Sequence, residues 1–287
     1  MKYDLSNKRT IEKLLSAEGF TFKKSLGQNF LTDPFVCPAM AEAAADSDTG
    51  VIEIGPGIGV LTVELAQIAK KVIAVELDER LRPILAKTLE DYENASVIFS
   101  DVLKLDLKKV IEEEFKDCKR VAICANLPYY ITSPIIMSLL ESKLPVETIT
   151  VMVQKEAAER LTADIPSRAV GAVTLAAAFY AESEMLFEVP RESFTPSPNV
   201  DSAVIQFSVR KTAPIIVEDE KLLFRLIRGA FEHRRKTLMN SVSAAGVVSK
   251  EILQKALEEL EIPPTVRAEQ LTMEQFVALA DKCRPGA

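Results

Sequence analysis

The sequence predicts an α/β fold, a mostly parallel sheet followed by a smaller C-terminal domain built only of helices. Short apolar runs alternate with amphipathic segments over much of the chain. Strands that are apolar on both faces are typical of parallel sheets covered by helices. From Lys221 onward the pattern is helical, with interruptions at Gly246 and at the Pro263–Pro264 pair. A chain of 287 residues accommodates one large domain and one smaller domain.

The predicted strands and helices of the sheet follow one another regularly. Val51 to Ile54 form a short strand that runs into a glycine-rich turn, and VLTVELAQIAKK predicts the following helix. KVIAVELDE predicts the next strand, LRPILAKTLEDY a helix, and SVIFSDVLKLDL a third strand followed by a loop. RVAICANLPYY contains a fourth strand, and ETITVMVQKEAAERL a fifth that leads into a helix. Ligands bind where parallel strands end, and these ends carry Gly55, Glu76, Asp101, Asn126 and Gln154.

The remaining elements close the sheet and begin the second domain. GAVTLAAAFYAE predicts a helix, and EMLFEVPRESFTPSPNVDSAVIQFSVR predicts two strands around a proline-rich loop. SAVIQFSV alternates apolar and polar residues, which predicts an antiparallel hairpin at the sheet edge. We expect a boundary near Lys211 to Pro214, so that residues 1–210 form the first domain and 211–287 the second.

Composition excludes several classes of protein. The sequence contains no apolar stretch long enough to span a membrane, and MKYDLSNKRTIEKLL lacks the apolar core of a signal peptide. The four scattered cysteines indicate reduced thiols in a cytoplasmic protein. A single histidine argues against a histidine-based triad or metal site, and no metal is expected. The net charge of −7 argues against a protein coated with nucleic acid, but phosphate contacts need only one basic face.

The turn Gly55-Pro56-Gly57-Ile58-Gly59 has the form G-x-G-x-G, in which glycines allow a ligand to approach the backbone closely. Val60 stands where a dinucleotide-binding turn would have its third glycine, which argues against NAD and FAD. Glu76 can accept both hydroxyls of a ribose, and Asp101 can accept from an adenine amino group. The alternative is that these acids are solvated strand ends or helix caps. Together, the three strand ends favour S-adenosylmethionine over NAD.

NLPYYITSPI follows the fourth strand at the same sheet edge. The Asn126 side chain and nearby backbone carbonyls offer acceptors, and Pro128 has no N–H to donate. Two acceptors that hold an adenine amino group would aim its lone pair at a methyl sulfonium, with no general base needed. Tyr129 would stack on the base. The alternative is core packing, which we expect for Tyr130, while Ser133–Pro134 would begin a helix.

RLIRGAFEHRRKTL predicts one continuous helix with a basic face and an apolar face. A basic face in an acidic protein is a candidate surface for RNA phosphates, although a merely solvated face is the alternative. His233 within it is expected to make an ordinary polar contact. The candidate RNA-binding residues are Lys23, Lys24, Arg225, Arg228, Arg234, Arg235 and Lys236.

The motifs GQNFL, EIGPGIG, VELDERL, SDVL, NLPYYITSPI, QKEAAERL, FTPSPNVDSAV and AFEHRRKTLMNSV occur in order between about Lys23 and Val242. This set resembles the ribosomal RNA adenine N6-dimethyltransferase family, and most closely its branch that acts on the small-subunit (16S) rRNA of bacteria. The resemblance implies a Rossmann-like class I S-adenosylmethionine-dependent methyltransferase sheet with a C-terminal helical RNA-recognition domain. Between Leu161 and Tyr180 the chain reads TADIPSRAVGAVTLAAAF, which departs from the Pro-Gly-Ser/Thr-Lys-x-Tyr-Gly-like string of the family.

The family resemblance also implies site residues and a reaction. The donor would be bound by Asn29, Leu31, Gly55, Gly57, Glu76 at the ribose, Asp101 and Val102 at the adenine, and Asn126. The target adenine would be held by Asn126, Tyr129 and Phe194. The implied reaction places two methyl groups on each of two adjacent adenosines, in a hairpin loop near the 3′ end of 16S rRNA. A monomeric cytoplasmic enzyme would carry it out on the immature small ribosomal subunit, consuming four donor molecules.

Two alternatives stay open at this point. The protein could act chiefly as an RNA-binding assembly factor of the small subunit, with methylation secondary. It could also methylate N6 of adenosines in large-subunit rRNA by the same chemistry.

Overall fold

The computed structural model describes residues 3–20, 30–233 and 235–284. The chain divides into two compact units, Met1–Ala158 with Ser183–Val209, and Glu159–Glu182 with Arg210–Ala287. The longer part of the second unit, Arg210–Ala287, begins near the predicted boundary. The unit also includes Glu159–Glu182, which lies within the first predicted domain. The physical reason is the apolar helix in this segment, whose aromatic residues pack against the helices of the second unit.

The first unit contains a seven-stranded sheet in the order β4-β3-β2-β5-β6-β9-β7. The pairs β2–β3, β3–β4, β2–β5 and β5–β6 are parallel, and β9 is antiparallel to β6. A separate two-stranded antiparallel sheet joins β1 to β8. The strands are β1 (Phe30–Leu31), β2 (Thr49–Ile54), β3 (Lys71–Glu76), β4 (Ala95–Phe99), β5 (Arg120–Asn126), β6 (Thr148–Gln154), β7 (Ala181–Val189), β8 (Phe194–Thr195) and β9 (Ser202–Val209).

Twelve α-helices are present in the described part of the chain. They are α1 (Lys8–Ala17), α2 (Val36–Ala44), α3 (Val60–Ile68), α4 (Arg82–Thr88), α5 (Leu107–Glu114), α6 (Thr132–Glu141), α7 (Lys155–Leu161), α8 (Ala172–Tyr180), α9 (Glu220–Phe231), α10 (Leu238–Ala244), α11 (Lys250–Glu259) and α12 (Met273–Lys282). Short 3-10 turns lie at Glu79–Leu81, Arg191–Ser193 and Ala268–Gln270. None of the helices in the described ranges is both long and apolar enough to cross a membrane.

The central strands are buried on both faces, as their continuous apolar sequences predicted. Val51 of β2 packs with Val72 and Cys124 of the neighbouring strands in a core cluster that includes residues of α2 and α3. Ile52, which points to the opposite face, is also fully buried. Because neither face meets water, the polar residues of these strands collect at the strand ends.

Two sequence predictions differ from the observed elements. Helix α5 follows the loop that was expected after the third strand, and Asp106 begins this helix by accepting a hydrogen bond from the backbone N–H of Lys109 at 3.0 Å. The helix expected to reach Glu182 ends at Tyr180, and β7 begins at once with Ala181. The edge of the sheet consists of the two predicted strands, with β9 inside and β7 outermost.

The second difference concerns the basic helix, which is not continuous. Helix α9 ends at Phe231, and the next residues form a turn in which the Lys236 N–H donates to the His233 carbonyl at 2.8 Å. Thr237 then caps α10. Arg235 and Lys236 therefore lie in the connection between two helices, because the capping threonine starts a new helix there.

The second unit packs through aromatic side chains. The ring of Phe224 on α9 lies 5.3 Å from that of Phe179 and 5.2 Å from that of Tyr180, both on α8. The Tyr180 hydroxyl donates to the Glu220 carboxylate at 2.6 Å. These contacts join α8 to α9 and explain why Glu159–Glu182 belongs to this unit.

Candidate active site

A cavity opens at the carboxyl ends of β2, β3 and β5, where the strand order changes direction. Ligands of open α/β sheets bind at such a position. The cavity brings together nine of the predicted site residues, which are Leu31, Gly55, Gly57, Glu76, Asp101, Val102, Asn126, Tyr129 and Phe194. Residues that the sequence did not single out also line it, among them Phe30, Glu53, Leu77 and Leu127.

The turn after β2 needs glycine for two physical reasons. Gly57 has φ +60°, and a side chain there would also bring a Cβ within 3.3 Å of the Phe30 ring. Gly59 has φ +92° and caps α3, and a Cβ there would lie 3.0 Å from the Thr88 hydroxyl. At Gly57 the turn therefore presents backbone without a side chain to the cavity.

Glu76 is buried and is tied to the glycine turn. Its carboxylate accepts the backbone N–H of Gly57 at 3.1 Å and that of Asp78 at 2.7 Å. Burial raises the pKa of Glu76 above its ordinary value, while these backbone hydrogen bonds act in the opposite direction. A carboxylate fixed in this way can accept hydrogen bonds from vicinal hydroxyls without moving.

Asp101 lies just beyond β4, at the same edge of the sheet. Its carboxylate accepts the backbone N–H of Leu103 at 3.1 Å and lies 3.5 Å from the Lys104 ammonium. Asp101 and Val102 both line the cavity. This combination of an acceptor and an apolar side chain is suited to the edge and face of an adenine.

Glu53 is a cavity residue that the sequence interpretation missed. It is 1% exposed, and its Oε2 atom has no hydrogen-bond partner among the described residues. Burial raises the pKa of Glu53 to about 8, the nearby charge of Glu76 acts in the same direction, and Thr62 opposes the shift. The sequence signal for Glu53 is a charged residue inside an otherwise apolar strand, because glutamate is almost never fully buried unless it is paired.

Asn126 ends β5, and its turn is fixed by backbone hydrogen bonds. The Leu127 N–H donates to the Met152 carbonyl at 3.2 Å, which extends the sheet by one residue. The Pro128 carbonyl accepts from the Ile131 N–H at 3.1 Å and from the Thr132 hydroxyl at 3.2 Å. These bonds hold Asn126 at the cavity edge.

The two tyrosines of this turn have different environments. Tyr129 is partly buried, and its hydroxyl lies 2.7 Å from the Ser202 hydroxyl. Burial raises the pKa of Tyr129 above its ordinary value, so its hydroxyl stays neutral at pH 7. Tyr130 is 57% exposed, so the prediction that it packs in the core is wrong. The hydrogen-bonded turn explains this, because consecutive residues point in different directions.

Phe194 and Leu31 reach the cavity from segments that are distant in sequence. Leu31 of β1 is paired with Phe194 of β8. Next to this pair, the Thr32 N–H donates to the Ser193 carbonyl at 2.8 Å, and the Ser193 hydroxyl donates to Asp33 at 2.9 Å. Sequence alone does not show this pairing, because each strand has only two residues.

The basic residues lie elsewhere or outside the described ranges. Arg225 and Arg228 are exposed on α9, and Arg235 and Lys236 are exposed in the connection to α10. All four belong to the second unit. Lys23, Lys24, Asn29 and Arg234 lie outside the described residues.

Fold and cavity define an S-adenosylmethionine-dependent methyltransferase. The residues fit this cofactor, because the cavity combines a glycine turn, the fixed Glu76 carboxylate and the buried Glu53 carboxyl, whose Oε2 atom has no hydrogen-bond partner among the described residues. The family model described as ribosomal RNA adenine dimethylase matches residues 19–284, so the chain belongs to the ribosomal RNA adenine dimethylase family. Membership confirms the resemblance, the Rossmann-like sheet and the predicted cofactor.

Relatives of this family match the chain over nearly its whole length. Ribosomal RNA small subunit methyltransferase A of Bacillus pumilus is 47% identical over 285 residues, covering 98% of each chain. The protein of the same name from Geobacillus thermodenitrificans is 47% identical over 289 residues, covering 99% of each chain.

Two solved structures share the fold. A dimethyladenosine transferase from Plasmodium falciparum matches with a TM-score of 0.70 and 27% identity, covering 87% of this chain and 95% of that chain. The 23S rRNA methyltransferase ErmE matches with a TM-score of 0.63 and 26% identity, covering 89% of this chain and 99% of that chain.

Proposed function

We propose that this protein transfers methyl groups from S-adenosylmethionine to N6 of two adjacent adenosines in a hairpin loop near the 3′ end of 16S rRNA. Each adenosine receives two methyl groups, so four donor molecules are consumed. The observation that carries the proposal is the meeting of Glu76, Asn126, Tyr129 and Phe194 around one cavity. The small-subunit assignment is supported by the relatives that are 47% identical over nearly the whole chain.

The donor side of the cavity consists of the residues next to the glycine turn. Glu76 accepts the ribose hydroxyls, and Gly55 and Gly57 let the donor lie against the backbone. Asp101 accepts from the adenine amino group, and Val102 contacts its ring. Leu31 also lines this side, and the family resemblance assigns Asn29, which lies outside the described residues, to the donor as well. Support comes from the two hydrogen bonds that fix the Glu76 carboxylate.

The acceptor side holds the amino group of the target adenine. The Asn126 side-chain oxygen accepts one of its hydrogens, and the Leu127 carbonyl accepts the other. We favour Leu127 over Pro128 because the Pro128 carbonyl already accepts two hydrogen bonds within the turn. Tyr129 and Phe194 enclose the adenine ring between them.

The chain contributes positioning and electrostatics to the reaction. S-adenosylmethionine supplies an electrophilic methyl group on a sulfonium. Asn126 and the Leu127 carbonyl hold both amino hydrogens, which draws the nitrogen lone pair out of conjugation and toward the donor side. The amino proton becomes acidic only as the bond to the methyl forms, so solvent can take it afterwards and no general base is required.

The second unit supplies the RNA contacts. Arg225 and Arg228 flank a shallow groove, and Arg235 and Lys236 lie exposed in the connection that follows α9. Lys23, Lys24 and Arg234, which lie outside the described residues, are further candidates for RNA contacts. Exposed arginines and lysines bind RNA phosphates without reading sequence. The protein acts as a monomer in the cytoplasm, on the immature small subunit during its biogenesis.

The decisive experiment is Asn126→Ala. Loss of one dipole that acts in the transition state should lower kcat by about 10²–10³-fold. Affinity for RNA should change little, as measured by filter binding. Methyl incorporation near the wild-type rate would remove Asn126 from the mechanism.

Substrate identity needs a separate measurement with the wild-type protein. Radiolabelled donor is offered to unmethylated small subunits, to naked 16S rRNA and to large subunits. We expect label in adenosines of small-subunit RNA. Label confined to large-subunit RNA would contradict the proposal, and binding to small subunits without label would favour a pure assembly factor.

A further inference from the structure

Tyr130 is an aromatic side chain that the proposed reaction does not yet use. Its immediate neighbours Tyr129 and Ile131 are partly buried. Leu127 and Thr132, at the ends of the turn, are 1% and 4% exposed, whereas Tyr130 is 57% exposed. Tyr130 also lines the cavity that Tyr129 and Phe194 line. The ring of Tyr130 therefore stands at the mouth of the cavity.

The turn fixes the two tyrosines in these different positions. The Pro128 carbonyl holds both the Ile131 N–H and the Thr132 hydroxyl, so the backbone around Tyr130 is constrained. The hydroxyl of Tyr129 is held by Ser202. Tyr130 is thus presented outward by a fixed turn, as an extension of the aromatic wall that Tyr129 provides inside.

Tyr130 is accompanied by a second exposed apolar side chain at the same cavity. Leu77, just after β3, is 55% exposed and also lines the cavity. Large apolar side chains at the mouth of a ligand site commonly contact a bound partner. A flat aromatic ring is suited to a nucleobase, because every base has a face that can stack on it.

We propose that Tyr130 is the stacking platform for the nucleobase next to the adenosine that occupies the cavity. This inference rests on the proposed function, in which the target adenosine leaves the RNA loop and enters the cavity. Removing a base from its stack deprives the neighbouring base of a partner, which costs free energy. Tyr130 replaces that lost partner at the point where the RNA chain leaves the cavity.

Tyr130 can act as a platform while either of the two target adenosines is being methylated. The two target adenosines are adjacent, so when either one occupies the cavity the other lies among its immediate neighbours. Tyr130 can therefore serve in both rounds without recognising a particular base. It is a binding residue for RNA and makes no contact with the reacting nitrogen.

The test compares Tyr130→Ala with Tyr130→Phe on an RNA hairpin that carries the two adenosines. Tyr130→Ala should raise KM for the hairpin by about 10–100-fold, the effect expected for losing one base–aromatic stack. Tyr130→Phe keeps the ring and should restore the wild-type KM. Calorimetry with S-adenosylhomocysteine should give the same affinity for all three proteins. Ile252→Ala removes another exposed apolar side chain, on α11, and is the matched control.

A spectroscopic readout locates the stack directly. A hairpin with 2-aminopurine next to the target adenosine should lose fluorescence when the wild type or Tyr130→Phe binds, and much less when Tyr130→Ala binds. Equal quenching by all three proteins, or an unchanged KM for Tyr130→Ala, overturns the platform while leaving the proposed function intact. Failure of the wild type to methylate any small-subunit RNA overturns the proposed function itself. Self-association that Tyr130→Ala abolishes, with an unchanged KM, would assign the exposed ring to a protein contact instead.

Discussion

The two halves of the cavity are held together in different ways. The donor half consists of Gly55, Gly57, Glu76, Asp101 and Val102, which lie at the ends of neighbouring parallel strands. Its main internal bonds, from the N–H groups of Gly57 and Asp78 to the Glu76 carboxylate, join residues of adjacent strands and turns. The sheet itself therefore builds this half.

The acceptor half consists of Asn126, Tyr129 and Phe194, and it depends on contacts between distant parts of the chain. Tyr129 is held by Ser202, and Phe194 is placed by its pairing with Leu31. Donor binding should therefore be lost only when a central residue of the donor half, such as Glu76, is removed. In the acceptor half, the loss of a single hydrogen bond to a distant part of the chain should already lower the rate of methylation.

The largest loss of donor affinity is expected from Glu76→Ala, which removes the central residue of the donor half. The substitution removes the proposed ribose acceptor and leaves the N–H groups of Gly57 and Asp78 without their carboxylate. Hydrogen bonds to charged groups contribute about 1.5–3 kcal/mol each, so donor affinity should fall by at least about 10²-fold. Calorimetry with S-adenosylhomocysteine measures this loss.

Glu79→Ala is the matched control for this prediction. Glu79 lies three residues further on, is largely exposed and forms an ion pair with the exposed Arg82. Its removal should leave donor affinity within about 2-fold, since exposed ion pairs contribute little. Equal losses in both variants would show that Glu76 acts through general folding and not through the donor.

The same contrast explains how much of the site could be predicted from sequence. Continuous apolar runs and the G-x-G-x-G turn are local signals, so Gly55, Glu76, Asp101, Asn126 and Gln154 were predicted to share one edge. The first four line the cavity, and Gln154 does not. Phe194 could be assigned only through the family resemblance, because the two-residue strands β1 and β8 carry no periodic pattern.

Other features were beyond sequence because they depend on burial or on where an element ends. Nothing in NLPYYITSPI tells which tyrosine turns outward, since the direction is set by the hydrogen bonds of the Pro128 carbonyl. The basic helix was predicted to continue past Phe231, because Thr237 is an acceptable helix residue until it is seen to cap α10. Glu53 was missed because its effect arises only from complete burial.

An intermediate effect is expected from Glu53→Gln, which tests whether the donor half carries a buried carboxyl that resists ionisation. The pKa of Glu53 is about 8 in the fold against an ordinary value of 4.5. Between these values the folded state binds more protons than the unfolded state, so stability falls as pH rises. The slope approaches ~1.4 kcal/mol per pH unit, and Gln, which cannot ionise, should abolish it.

Urea denaturation across this pH range measures the difference in unfolding free energy between wild type and Glu53→Gln. Glu76 titrates in both proteins and largely cancels in that difference. The exposed Glu113→Gln is the control and should run parallel to the wild type. If Glu53→Gln also runs parallel to the wild type, Glu53 ionises in the fold as it does in water.

The smallest effect is expected in the acceptor half, from the hydrogen bond between Tyr129 and Ser202. Tyr129→Phe and Ser202→Ala each keep the aromatic ring but remove this bond, which is worth about 1 kcal/mol. Each should lower the rate of RNA methylation by about 5-fold, with donor affinity unchanged. Because both variants break one bond, the double variant should lose little more than either single variant. The exposed Ser208→Ala on the same strand should have no effect, and losses that simply multiply in the double variant would mean that the two hydroxyls act independently of each other.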